Sequence, residues 1–325
     1  SDFPAGVADN REAEAASVTV TLSRADTTVL LERAGVTARS RIDEMLLSAL
    51  LAAVQDWTGR AAVRVNLESH GRDALGETID VSRTVGWFTA LYPVTLAATP
   101  GASLPERLAA VKESVRAATA HGAAYGWLRH AAGGDALAAP AEISFNYLGR
   151  LDLALEAEGP FAAAAESIGP DHAPESPRAH ALDVMAAVGH DGLRIECIFG
   201  TRRHERATVE RLLARMVREL GDLAAQLRAA SAVRWTAAPS DFPLAQLDQS
   251  QLTTVLAERA DVEDIWTLAP LQEGMLVHAQ HEGVAGVYTQ QLVIEIAGEV
   301  DEARLRAAWE TVMRRHAILR VAFAW

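Results

Sequence analysis

Between residues 42 and 67 the apolar residues change their period, and that change restricts the possible folds more than any other feature of the chain. Ile42, Met45, Leu46, Ala49, Leu50, Ala53 and Trp57 recur at helical spacing, which predicts an amphipathic helix over 42–57. Gly59 ends it, and residues 61–67 then alternate apolar and polar, as a half-buried strand does. The same exchange of periods recurs along the chain. "SVTVTL" reads as a strand, and Ser23 with Asp26 opens a short helix ending near Gly35. Ser103 and Glu106, with Pro105 in the first turn, form a capping-box pattern for a helix running to about Ala120. "AEISFNYLG" reads as a strand ending in a turn. "HALDVMAAVG" and "LRIECIFGT" flank His190, Asp191 and Gly192 as a hairpin, and 207–229 is a long helix. Mixed strands and helices of this kind predict an α/β lobe.

Around that lobe the pattern weakens. Residues 1–17 read as an N-terminal loop. Residues 230–262, rich in Pro, Ser and Ala with little period, read as an interdomain linker with a short helix near 249–259. Beyond it come a helix near 270–280, a strand "YTQQLVIEIAG", a helix over 301–315 and a strand "ILRVAFAW". The sequence stops inside that apolar strand, so 263–325 is expected to be a truncated piece of a second lobe. A length of 325 residues suits about two domains.

Composition excludes several classes. A net charge of -13 and a pI near 5.2 argue against nucleic acid or an anionic membrane as the main partner. The basic stretch "RRHERATVERLLARMVR" reads as the solvated face of a helix. No apolar run approaches the roughly 18 residues of a membrane helix, and the acidic, polar start is no secretory signal. Cys197 is the single cysteine, which forbids an internal disulfide and suits the cytoplasm. Its apolar neighbours make it a buried, inert thiol.

Most catalytic signatures are missing. His278 and His281 share a helix face without the carboxylate pattern of a metal site, so they read as surface residues and no metal is expected. "HAAGGDA" at 130–136 lacks the Lys and Ser/Thr of a phosphate loop, and no GxSxG elbow offers a nucleophilic serine. One stretch stays open: "VRVNLESHGRD", residues 63–73, is either a strand entering a solvated turn or a strand delivering the carboxylate of Glu68 to a reaction. His70 and Arg72 stand close enough in sequence to hold Glu68 and set its protonation. The aromatic "RTVGWFTALYP" follows, and "FNYLGR" offers an amide, a phenol and a glycine turn at another strand end. Polar groups at several strand ends facing one cleft are a common way to build an acid–base site.

The order "IDEMLLSAL", "NLESHGRD", "SRTVGWFTALYPVTL", "AYGWLRH", "FNYLGR" resembles the successive motifs of the epimerization domains of nonribosomal peptide synthetases over about residues 18–229. The usual forms EGHGRE, RTVGWFTxxYP and FNYLGQ are altered at Ser69, Asp73 and Arg150. "DIWTLAPLQEGMLVHAQ" and "RRHAILRVAF" resemble the opening of a condensation domain, and "PSDFPLAQLD" the linker between the two. The resemblance implies a chloramphenicol-acetyltransferase-like fold of two α/β lobes around a cleft. This chain would supply the C-terminal epimerization lobe and the start of a condensation lobe in a pathway of secondary-metabolite or antibiotic biosynthesis.

It also implies that Glu68 works with a histidine of an HHxxxDG motif to invert Cα of an aminoacyl or peptidyl thioester. Arg72, His70, Asn146 and Tyr147 would line the site, and Trp87 and Phe88 would shape the lobe interface. No cofactor is bound directly; the phosphopantetheine arm of a peptidyl carrier protein presents the substrate. The further partners are the N-terminal epimerization lobe and the remainder of the condensation domain. No His-His pair occurs in the sequence, so the fragment alone is expected to be inactive. Two alternatives share the fold: an amide-forming condensation lobe, and a non-catalytic lobe that docks a carrier protein.

Overall fold

A six-stranded sheet, order β1-β6-β5-β4-β2-β3, organises the first of two units in the computed structural model. The structure describes residues 2, 10–72, 80–131, 137, 141–151, 169–229, 235–259, 262–282 and 288–323. Asp73 at the end of the "HGRD" turn, most of the 130–136 loop, residues 230–234 of the expected linker and the side chain of His281 lie outside them. The first unit spans Ser1–Asp241 and the second Phe242–Trp325.

The strands are β1 (Ala15–Ser23), β2 (Ala62–Ser69), β3 (Ala90–Ala97), β4 (Ile143–Arg150), β5 (Leu182–Gly189) and β6 (Gly192–Gly200). β2 pairs in parallel with β4, and β4 with β5; the other neighbours are antiparallel. β1 starts at Ala15, inside the expected loop, because Ala15 and Ala16 extend the ladder against Gly200 and Phe199 although they carry no apolar alternation. β5 and β6 form the expected hairpin around His190 and Asp191. Gly192 closes it at φ +129°, where a Cβ would lie 2.1 Å from the Leu22 carbonyl oxygen.

The helices of this unit are α1 (Arg24–Thr37), α2 (Ile42–Thr58), α3 (Leu104–Thr119), α4 (Gly122–His130) and α5 (Arg206–Arg228). Both expected N-terminal caps form: the Asp26 N–H donates to Ser23 Oγ at 3.1 Å, and the Ser103 N–H to Glu106 Oε2 at 2.9 Å. In α5, Val209, Leu212, Leu213, Met216, Leu220, Leu223 and Leu227 recur at helical spacing and are buried. On its outer side Arg206 pairs with Glu210 at 2.8 Å, as a solvated face does. α2 is buried on all sides from Glu44 to Val54, so it is a central helix rather than the amphipathic one its spacing suggests.

These helices pack on one face of the sheet only. Val65 and Leu67 of β2, Ile143 and Phe145 of β4, Val184 and Ala186 of β5, and Ile195 and Cys197 of β6 join their core. The residues between them point to the other, more open face, because side chains alternate along a strand. Cys197 is buried as expected, and burial pushes its thiol up to about 12, far from the reactive range.

The second unit contains α6 (Gln249–Glu258), α7 (Pro270–Glu282) and α8 (Glu302–Arg315), close to the expected helices. Asp248 and Asp301 cap α6 and α8, accepting from the Gln251 and Arg304 N–H groups at 2.8 and 3.1 Å. The two expected strands do not form among the described residues. Residues 289–297 have no ladder, Leu292 is 82% exposed, and Ala317–Arg320 is a 3-10 turn. Apolar, β-branched residues favour a strand, but its backbone groups still need a partner strand, and the described residues of this unit offer none.

Candidate active site

β2 delivers Glu68 to the open face of the sheet. Val65 and Leu67 point into the helical core, so Asn66 and Glu68 point away from it. β4 runs parallel beside β2, with Asn66 opposite Ser144 and Leu67 opposite Phe145. One position further on, Asn146 Nδ2 donates to Glu68 Oε2 at 3.1 Å. Among the described residues Asn146 is the side-chain partner of Glu68, which itself is exposed. The carboxylate is thus oriented by an amide at Oε2, while Oε1 takes no hydrogen bond from the described residues.

Arg72 does not hold Glu68, contrary to the sequence expectation. Its guanidinium donates to the carbonyl oxygens of Val81 at 2.5 Å, Thr84 at 2.8 Å and Gly86 at 3.2 Å. It also lies 4.4 Å over the Phe88 ring. The physical reason is local: a guanidinium satisfies several donors at once, and the folded-back 81–88 segment presents three carbonyls in reach. Arg72 therefore braces the segment that follows the Glu68 strand. His70 takes part in the same turn, its Nδ1 accepting from the Arg72 N–H at 3.2 Å.

Gly71 makes that turn possible. It sits at φ +63°, and a Cβ there would lie 1.8 Å from the Phe88 carbonyl oxygen. "HGR" and "GWF" thus close against each other through backbone that only glycine allows. Gly71→Ala should destabilise the first unit by about 1–3 kcal/mol through left-handed strain and displacement of Phe88. Urea denaturation checks this; an unchanged midpoint would show that the turn accommodates a methyl group.

The remaining candidates divide. Asn146 joins Glu68, whereas Tyr147 falls on the opposite side of β4 and packs against the helical core. Phe88 lies under Arg72, while Trp87 projects from the segment at 90% exposure. Sequence reasoning missed a second polar row on the same face. Asn66, Ser144 and Asp183 are neighbours across β2, β4 and β5. Asn66 Nδ2 lies 2.9 Å from His180 Nε2, and His180 Nδ1 lies 3.1 Å from Asp183 Oδ1. Ser144 Oγ donates to the same Asp183 oxygen, and Arg178 donates to the other at 2.6 Å. Burial raises the Asp183 pKa, but the hydrogen bonds from His180, Ser144 and Arg178 outweigh it and hold the carboxyl below its usual range. The available signal was a polar residue at alternate positions of three consecutive sheet neighbours.

A cavity on the helical side, lined by Gln55, Asp56, Arg107, Arg215, Glu219 and Asp222, holds no comparable arrangement. Its two arginines are taken up in ion pairs, Arg107–Glu219 at 2.8 Å and Arg215–Asp56 at 2.5 Å. No cluster able to hold a metal occurs among the described residues, and none of their helices is long and apolar enough to cross a membrane.

The condensation-domain family model matches residues 5–240 and again 262–325. The chain belongs to the condensation-domain family of nonribosomal peptide synthetases. Its fold is accordingly the chloramphenicol-acetyltransferase-like one of condensation domains, and the two matches leave residues 241–261 between them. Two linear gramicidin synthase proteins of Brevibacillus parabrevis are 38% identical over 323 residues and 37% identical over 331. These alignments cover 98% and 100% of this chain but only 4% and 6% of those proteins. Among solved structures, the epimerization domain from the third module of tyrocidine synthetase B superposes with a TM-score of 0.62 at 30% identity. That superposition covers 69% of this chain and 50% of the solved domain. This condensation-domain chain thus carries Glu68 and Asn146 on the open face of a sheet whose other face is packed with helices.

Proposed function

We propose that the first unit is the Glu68-bearing lobe of an epimerization domain, and that the synthetase containing it inverts Cα of a carrier-bound residue. The observation that carries this reading is the Glu68–Asn146 pair at 3.1 Å, exposed on the open sheet face and bordered by the Arg72-braced segment. The 30% identity to an epimerization domain supports it. The substrate would arrive as an aminoacyl or peptidyl thioester on the phosphopantetheine arm of a peptidyl carrier protein. The Glu68 carboxylate would take the Cα proton, leaving the electron pair as an enolate conjugated with the thioester carbonyl. A second proton-bearing group, on the opposite face of that planar enolate, would return a proton to Cα. The reaction is redox-neutral: Glu68 releases the proton it took to solvent, and the second group regains from solvent the proton it gave to Cα.

The second match to the family, at 262–325, supports reading that unit as the beginning of a condensation domain acting on the epimerized residue. An amide-forming role for the first unit is the competing assignment. The full-length synthetase, loaded with an L-residue on its carrier and held in heavy water, separates them. Epimerization gives a D-residue carrying deuterium at Cα. Recovery of the L-residue with no deuterium overturns the proposal.

A further inference from the structure

We propose that His180 is a positioning residue of the Glu68 site, acting through Asn66. This deepens the epimerization reading and rests on it.

The argument begins with register. Asn66 and Glu68 are two residues apart on β2 and share its open face, so their Cα atoms are about 7 Å apart. Each reaches across to the β4 side of the sheet. Glu68 meets Asn146; Asn66 meets His180. The two contacts are successive rungs on one surface.

The Asn66 rung is built with more polar groups than a solvated surface needs. Asp183 gathers His180 Nδ1, Ser144 Oγ and Arg178. Arg178 also donates to the Ile198 carbonyl oxygen at 3.0 Å, and its side chain is 2% exposed. Asn10 Nδ2 donates to the carbonyl oxygens of His180 at 2.6 Å and Arg178 at 3.2 Å, which fixes the segment before β5. Each of these groups costs free energy to desolvate and is useful only as a connected set.

That set defines the state of the imidazole. An ionised Asp183 accepts from Nδ1–H, which leaves the Nε2 lone pair for the Asn66 amide N–H. A carboxylate that fixes a histidine tautomer, and thereby the direction in which the second ring nitrogen acts, is a recurrent way of holding a neighbouring group in place. Here the group held is Asn66, one turn of the pleat below Glu68. With Asn66 anchored, β2 and β4 keep the spacing at which Asn146 reaches the Glu68 carboxylate. Without it, the strand end that carries Glu68 loses its side-chain tie to the segment before β5.

His180→Ala, Asn66→Ala, the double variant and Glu68→Gln, each made in the full-length synthetase, test this in the heavy-water exchange assay. His180→Ala and Asn66→Ala should each lower kcat on the order of 10–100-fold, as sub-ångström misplacement of an acid–base group does, with KM little changed. The double variant should be no slower than the slower single variant, because both remove the same link. A merely structural role would move the melting temperature and leave kcat of the folded protein near wild type. That outcome, or losses that multiply in the double variant, overturns the inference. Asn66→Ala deletes a single amide on a partly exposed face, so it keeps the test usable if His180→Ala fails to fold. Glu68→Gln separates the two readings. Lost exchange in Glu68→Gln with wild-type kcat in His180→Ala sinks the positioning role alone, whereas retained exchange in Glu68→Gln sinks the site itself.

Discussion

Glu68→Gln, made in the full-length synthetase, is expected to slow Cα exchange on the order of 10²–10⁴-fold while leaving the fold intact. The substitution is discriminating because of what Glu68 touches. Its partner is the Asn146 amide at 3.1 Å, and a glutamine oxygen accepts the same hydrogen bond. A purely anchoring role, tying the end of β2 to β4, would therefore survive the change. What glutamine lacks at neutral pH is the capacity to take a proton and release it. Arg72 does not complicate the result, since its donors go to Val81, Thr84 and Gly86. Exchange within a few-fold of wild type, with an unchanged circular dichroism spectrum, would make "NLESHGRD" a strand entering a solvated turn.

How far the molecule can be read from its residues depends on the reach of each interaction. Elements specified locally are legible. α3 has its capping box, α5 its apolar stripe, and the β5–β6 hairpin its glycine, so their limits fall within a residue or two of expectation. α4 is not, because "GAAYGWLRH" is short and carries glycines at its start and centre. The two expected strands after residue 288 fail for another reason. Their apolar content is real, but pairing requires a neighbour, and a neighbour is not a local property.

The site shows the same division. Glu68 and Asn146 each stand out in the sequence, but the parallel β2–β4 register that joins them is visible only in the folded sheet. Four residues of separation suggest Arg72 as a partner of Glu68, yet the turn at Gly71 redirects it to carbonyls up to fourteen residues downstream. His180 carries no local signal beyond its place at the start of a strand pattern. Its contact is with Asn66, more than a hundred positions earlier.

Asp241→Ala is expected to destabilise the first unit by about 3–5 kcal/mol, although Asp241 lies in what reads as an interdomain linker. In the folded chain "PSD" at 239–241 forms a 3-10 turn docked on α3. The Asp241 side chain is 1% exposed and accepts from Lys112 Nζ at 2.7 Å and from Arg116 at 2.8 Å. Lys112 is itself 1% exposed, and its third contact is the Ala38 carbonyl oxygen at 3.1 Å. Burial lowers the Lys112 pKa, and Asp241 is the main group opposing that shift. Removing the aspartate would leave an ammonium in the interior without a counter-charge on contact. Arg116 would suffer less, because Glu44 at 2.7 Å and the Arg39 carbonyl oxygen at 2.6 Å remain. The cost should therefore concentrate on Lys112, and Lys112→Met in the Asp241→Ala background should recover much of it by replacing a stranded charge with apolar volume. Urea denaturation of the single and double variants measures both effects. A loss under about 1 kcal/mol in Asp241→Ala would return residues 239–241 to the linker. A double variant less stable than Asp241→Ala would show that the cost lies in the turn and not in the unpaired lysine.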